Sequence, residues 1–404
     1  MIAGIIAEYN PFHKGHLYQL NEIRRLYSPE AIVVVMSGCF TQRGEPAIAD
    51  KYTRAETAIR NGADLVIEMP FVYACSNAGT FASGGVKLLD SLKVIDTLFF
   101  GSESDDAALF DKVSKVLYSE TDEYKKFLKE KLKNGASYPK ARNEAISCTL
   151  NLDIDSFMSG SNNNLGIEYC ISLKKITSGI KPIPILRKIS DHNDTFLSEE
   201  ITSAISIRRA VYEGAAEKSY KDKLLGFEAL KADGYIDKPV TPELLSPYIS
   251  SNLIFEKNKP DLRDIPLPLL NKIKKLDNSS SRNEMLSNLK TKDITYTAVS
   301  RALLNIVSGL TTEEFLSIDS AYPYYANILG ISSAGAELLN KIDCTSGIKL
   351  ITKKADYRPD TKGEKLCRDY DIKSTAFYNL LRTNAGHDKA MLKSEYQSTI
   401  RYAK

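Results

Sequence analysis

Five short apolar runs, Ile2–Ala7, Ala31–Met36, Leu65–Met69, Val94–Phe100 and Pro182–Leu186, alternate with amphipathic stretches over the first two hundred residues. That alternation constrains the fold more than any other feature of the chain. Strand-like runs separated by helical ones are the pattern of βαβ units, in which parallel strands are covered by helices on both faces and so read as nearly continuous apolar segments. The stretches Gly15–Tyr27, Ala49–Asn61, Ala78–Leu92 and Asn163–Thr177 carry apolar residues at helical spacing and are the expected crossover helices. Asp105–Leu150 reads as longer helical insertions, with the charged segment Glu120–Lys133 as a solvated face.

After about Glu213 the strand signals fade, and helical patterns run through Leu253, Leu269–Leu289 and Ala298–Leu310. Pro-containing stretches at Asn258–Pro268 and Tyr322–Pro323 interrupt them. The expected class is therefore α/β: a Rossmann-like parallel sheet over residues 1–215, a largely helical region over 216–321, and a smaller C-terminal region over 322–404.

Composition narrows the class further. Of the 404 residues, 43% are hydrophobic and 26% charged, with a net charge of +3, as in an ordinary globular protein that neither demands nor excludes a nucleic-acid partner. Glu8 interrupts the apolar start before it could serve as a signal peptide, and no segment approaches the roughly 20 apolar residues of a membrane span, so a cytoplasmic protein is expected. The six cysteines, Cys39, Cys75, Cys148, Cys170, Cys344 and Cys367, lack paired spacing and read as reduced thiols.

The chemistry concentrates in Gly4–His16, GIIAEYNPFHKGH, where the first strand passes through a proline turn into a helix. Its centre is HxGH. Two histidines three apart at a helix start can both face a phosphate, at a place where free backbone N–H groups and the helix dipole already favour an anion. Gly15 lets a nucleotide approach the backbone. A capping turn or a pair of metal ligands would also account for His13 and His16, but the motif ends the first strand of a βαβ pattern, where open α/β sheets bind ligands. With only His192 and His387 remaining, no metal-ligand set is expected.

A second segment, Ile201–Arg209, puts Ser203, Ser206 and Arg208 at a helix start. Such serines are often plain N-caps. Downstream of an HxGH they can also bind phosphate oxygens, with Arg208 supplying a permanent charge for a pyrophosphate leaving group. Gln42-Arg43-Gly44-Glu45-Pro46 and the helix carrying Lys51 and Arg54 either reach the same site or form a solvated face. Asp64 and Glu68 flank the third strand, as a carboxylate pair or as ordinary strand-edge residues.

Together the two motifs resemble the class I HxGH nucleotidyltransferases. The wider wording, GIIAEYNPFHKGH, then MSGCFTQRGEPAIADKYTRAETAIRNGADLVIEMP, LFFGSES and ASYPKAR, is similar to the tRNA(Met) cytidine acetate ligase family, with a weaker likeness through Thr291–Thr297. The resemblance implies a ligase that activates acetate with ATP as acetyl-adenylate and acylates the exocyclic amine of the wobble cytidine of elongator tRNA(Met). Residues 1–215 would be the ATP-binding catalytic domain, 216–321 a tRNA-binding region and 322–404 a further RNA-contacting region. A cofactor adenylyltransferase and a non-catalytic nucleotide-regulated RNA-binding protein are the alternatives.

By resemblance, the catalytic residues are His13, His16 and Arg208. The ATP site comprises Ala7, Glu8, Tyr9, Asn10, Pro11, Phe12, His13, Lys14, Gly15, His16, Leu17, Tyr18, Gln19, Gly101, Asn162, Arg187, Lys188, Ser206 and Arg208, with Mg2+ expected on the triphosphate. The family's Pro-Asn-Asn-Ile-Leu is replaced by Ser161-Asn162-Asn163-Asn164-Leu165. For tRNA, Lys290, Lys292 and Arg301 are the foremost candidates. Lys353, Lys354, Arg358 and Arg382 are further basic candidates, and Tyr296, Tyr357 and Tyr378 could stack on bases.

Overall fold

A computed structural model describes residues 1–187, 203–255, 261–277, 279–292 and 294–402. All five expected strands are present: β1 (Ile2–Ala7), β2 (Ala31–Ser37), β3 (Leu65–Met69), β4 (Thr97–Ser102) and β5 (Lys181–Leu186). They pair in parallel in the order β5-β4-β1-β2-β3. The chain winds outward from β1 through β2 to β3, then returns to lay β4 on the other side of β1. The reversal puts a crevice at the C-terminal ends of β1 and β4, where such sheets bind ligands.

Side-chain alternation along β1 explains the two covered faces. Ile2 and Ile6 point into one core with Val33, Val35, Leu65 and Ile67, whereas Ala3 and Ile5 point into another with Ile32, Val34, Met36 and Val66. The first core lies under the helices Ala78–Ser91 and Ser161–Lys175, and the second under α1 (Lys14–Tyr27) and α2 (Lys51–Arg60). Packing is close: a Cβ on Gly85 would stand 2.7 Å from Ile6 Cδ1.

The region from 322 onward is not separate from this sheet. Tyr325–Ile331 forms β6, antiparallel to β3, and β6 in turn pairs with β7 (Lys349–Ile351) and β8 (Arg401–Tyr402), giving eight strands in all. The boundary expected near 322 is therefore crossed by backbone pairing. A buried charge network makes the same connection. Glu68 on β3 lies 2.7 Å from Lys51 and 3.3 Å from Lys354, and Glu395 lies 2.8 Å from Lys51 and 2.7 Å from Lys354. The helix Lys362–Asn384 adds Asp371, which accepts from the Phe71 N–H at 2.8 Å and the Tyr325 hydroxyl at 2.7 Å.

These contacts correct several expectations. Lys354 and Arg382 are only 4% and 5% exposed, so they are interior rather than RNA-facing residues. Tyr378 is fully buried and donates to Ala47 O, while buried Tyr357 donates to Glu364. Asp64 and Glu68 form no carboxylate pair: Asp64 accepts from the Ile32 N–H, Arg24 and Ser332 at the start of β3, at 2.8, 2.8 and 2.9 Å, whereas Glu68 faces the lysine network. Between them, the secondary structure of the described residues of 216–321 is helical, as expected, and all six cysteines are free thiols.

Candidate active site

β1 ends at Ala7, and the next six residues turn the chain into α1. Tyr9 takes a left-handed backbone (φ 46°) and buries its ring against Phe12 and His16, at centroid distances of 4.7 and 4.8 Å. Tyr9, Pro11 and Phe12 are buried, making a floor beneath the histidines rather than a polar wall. Asn10 anchors the turn by accepting from the Ile48 N–H at 2.7 Å.

His13 is the N-cap of α1. Its Nδ1 accepts from the Gly15 N–H at 3.0 Å, and His16 Nδ1 accepts from the His13 N–H at 3.3 Å, a reciprocal capping box built from two imidazoles. A backbone N–H can only donate, so both Nδ1 atoms are unprotonated and the ring proton of each neutral histidine sits on Nε2. The rings lie 3.9 Å apart at 31°. Burial, with Arg187 and Arg208 nearby, lowers the His13 pKa to about 3, and burial, His13 and Arg187 hold His16 well below its ordinary value. Near pH 7 the pair is neutral, with two N–H donors available at a helix start that carries no acidic residue in its first turn.

Arg208 lies 198 residues further on but donates to Asn10 O from the helix Ala204–Tyr212, so the second motif packs against the first. Ser206 makes no such contact with the first motif and instead serves its own helix cap. Its backbone N–H is capped by Ser203 Oγ at 3.2 Å and its hydroxyl donates to Ser203 O at 2.9 Å.

A second cluster stands across the crevice. A Cβ on Gly101 of β4 would meet Arg187 Cγ at 3.4 Å and Gln19 Nε2 at 3.9 Å, and Arg187 donates to Asn162 Oδ1 at 3.0 Å. Asn162 is itself fixed by a residue that sequence reasoning passed over. The Glu103 carboxylate accepts from Asn162 Nδ2 at 2.6 Å and from the Asn163 N–H at 2.7 Å, and Asn163 Oδ1 in turn accepts from the Glu103 N–H at 2.9 Å. The available signal was the acidic residue within LFFGSES. The Asn164 that departs from the family wording is satisfied locally, its Nδ2 donating to Met158 O and Gly160 O, both at 2.8 Å. Ala7, Glu8, Gly15, Leu17, Tyr18 and Gln19 are half-buried around the same turn and Lys14 is exposed. Lys188 and His192 lie outside the described residues.

Arg54 and Lys51 do not reach the crevice as free cations. Arg54 is fully buried and donates to the carbonyls of Ala49, Glu8, Ser37 and Gly38, tying the ends of β1 and β2 together. Lys51 belongs to the buried network. The Gln42–Pro46 turn does adjoin the site: Glu8 Oε1 accepts from the Gln42 N–H at 2.7 Å, and Gln42 O accepts from Arg301 at 3.1 Å. Arg301 is accordingly half-buried, unlike exposed Lys290 and Lys292.

The model of the HIGH Nucleotidyl Transferase family matches residues 1–392. A tRNA(Met) cytidine acetate ligase of Clostridium novyi (strain NT) is 38% identical over 393 residues, covering 96% of this chain and 97% of the relative. The chain belongs to the tRNA(Met) cytidine acetate ligase family. A second member, from Thermoanaerobacter sp. (strain X514), is 38% identical over 95% of this chain and 96% of its own length. Among solved structures, Thermotoga maritima TmcAL in its apo form superposes with a TM-score of 0.89 at 31% identity, covering 99% of each chain. The same Thermotoga protein bound with alpha-thio ATP gives 0.87. As a family member the chain is a ligase built on the nucleotidyltransferase fold.

Proposed function

We propose that this ligase joins acetate to ATP as acetyl-adenylate and passes the acetyl group to the exocyclic amine of the wobble cytidine in elongator tRNA(Met). In the first step an acetate oxygen attacks the α-phosphorus and the bond to pyrophosphate breaks. In the second the amine nitrogen attacks the acetyl carbonyl carbon, AMP departs with the bonding electrons, and the amine proton passes to solvent. Neither step needs an enzyme nucleophile. The observation that carries the reading is the neutral His13–His16 pair, whose Nε2–H donors sit with Arg208 and Arg187 at the head of α1.

In this reading the histidines and Arg208 hold the triphosphate and stabilise charge as it moves to the leaving pyrophosphate. Gly101, Gln19 and Asn162 take the adenosine end, and Arg187, bonded to Asn162 and close to the histidines, offsets phosphate charge. Ala7 through Gln19 wrap the nucleotide, with Tyr9 and Phe12 acting through the position of His16. Among the described residues no cluster of three His, Cys, Asp or Glu side chains stands ready for a metal, so Mg2+ would arrive on the phosphates. No described helix is long and apolar enough to cross a membrane, and the proposed place of work is the cytoplasm, where the tRNA is. The proposed division of labour keeps activation on residues 1–215, with exposed Lys290 and Lys292 on the tRNA side. Acetate-dependent exchange of labelled pyrophosphate into ATP tests the activation step. Exchange with acetate supports the reading, whereas exchange only with a phosphorylated small molecule would favour a cofactor adenylyltransferase.

A further inference from the structure

An open cavity of about 500 Å³ is lined by Asn77, Asp261, Asp264, Ala298, Arg301 and Thr312, among others. It lies where the helical region meets the N-cap of the helix Ala78–Ser91, and a short run of bonds joins it to the end of β1. Glu8, the first residue past β1, accepts from the Gln42 N–H at 2.7 Å, and Gln42 O accepts from Arg301 in the cavity wall at 3.1 Å. Gly44 packs onto the Arg301 backbone so closely that a Cβ there would stand 2.7 Å from its nitrogen, which fixes the wall against the turn. Gly101 on β4, Arg187 just past β5 and Asn162 at the start of the helix Ser161–Lys175 form the cluster on one side of β1, whereas this cavity borders the turns that follow β2 and β3, on the other side.

Resting on the acetyl-transfer reading above, we infer that this cavity receives the amine-bearing nucleobase that accepts the acetyl group. Its volume admits a whole nucleoside. Its polar lining also matches one kind of base edge. Arg301 can only donate, and the Asp264 carboxylate can only accept. Cytosine presents a ring nitrogen and a carbonyl that accept, beside an amine that donates. With Asp264 at the amine and Arg301 at the ring nitrogen, uracil would set a carbonyl against the carboxylate and a ring N–H against the guanidinium, a mismatch at both positions. RNA recognition of this kind uses bases splayed out of single-stranded loops, and an open cavity admits one. The helical region then supplies a wall of the acceptor site as well as a backbone-binding surface, and Arg301 acts on the base rather than on a phosphate.

The test compares wild type with Ala298→Leu, which fills the cavity while keeping the wall's hydrogen bonds, and with Arg301→Lys, which keeps the charge and loses the fork. Binding of anticodon stem-loops that carry cytidine or uridine at the acceptor position is measured alongside acetate-dependent pyrophosphate exchange and transfer to tRNA. Wild type should prefer the cytidine stem-loop by about tenfold or more, and both variants should lose most of that preference. Transfer in the variants should fall at least about tenfold with exchange retained. An unchanged base preference in both variants would overturn the proposal, and so would equal loss of exchange and transfer. Failure of wild type itself to exchange pyrophosphate with acetate would instead count against the acetyl-transfer reading, and the stem-loop comparison would still decide the cavity.

Discussion

The imidazoles of His13 and His16 face each other 3.9 Å apart, each with its Nδ1 occupied by a backbone N–H of the same helix start. The helix cap and the phosphate site are thus the same pair of side chains. Capping consumes one nitrogen of each ring and fixes the tautomer, which leaves the other nitrogen as a donor in a place too dry for the ring to charge.

The first prediction follows from that double use. His16→Ala should lower acetate-dependent pyrophosphate exchange by at least about 100-fold, as removal of a donor to developing charge does elsewhere. The lost cap should cost only about 1 kcal/mol of stability. Exchange kinetics and a calorimetric melt on one preparation check both halves.

The pH dependence of stability has a definite sign. The His13 pKa, lowered to about 3 when folded against 6.5 for the free side chain, means that the unfolded chain takes up a proton on acidification that the folded chain refuses. The stabilising contribution is complete above pH 6.5 and is lost progressively as pH falls towards 3, at up to about 1.4 kcal/mol per pH unit. His13→Asn keeps a capping side chain and removes this titration. Urea midpoints at pH 7.5 and 5.5 should therefore differ less for the variant than for wild type.

Glu395 and Lys354 join Lys51 and Glu68 in a square that is almost wholly buried. Truncating one corner leaves a buried charge unpaired, so Lys354→Met should destabilise by about 3–5 kcal/mol. None of its four residues is among those proposed to hold ATP or tRNA, so exchange activity per folded molecule should be kept. Denaturant unfolding combined with an active-site titration separates the two effects.

A chain ending at Ala215 should fail to fold on its own. It would strip β6 from the edge of β3 and leave Lys51 and Glu68 without Lys354 and Glu395. Circular dichroism and a urea titration of the shortened chain check this, and a cooperative, soluble fold would show that the sheet closes without β6.

How far the sequence was legible depended on distance along the chain. β1 through β5 and the turn at His13 are written in contiguous residues, and each was readable because strand, turn and helix signals lie side by side. β6 was not: Tyr325–Ile331 follows more than one hundred residues of helical pattern and pairs with β3, over 250 positions earlier, a partnership that no local pattern records. Lys354, Arg382 and Tyr378 were misread for a related reason. Basic residues are usually exposed, and only the tertiary partners Glu68, Asp50 and Ala47 reveal that these are interior. Arg208 was legible despite its separation because its own serine-rich helix start announced it. Arg301 was read as a tRNA contact, and no local pattern marks its place in a cavity wall.

The most direct measurement of the central claim is to incubate the purified protein with ATP, labelled acetate and tRNA(Met), then digest the RNA to nucleosides. The account predicts label on the base of a single cytidine, with AMP and pyrophosphate formed in equal amount, and none of these with His13→Ala. Label elsewhere in the RNA, or ADP and phosphate in place of AMP and pyrophosphate, would contradict it.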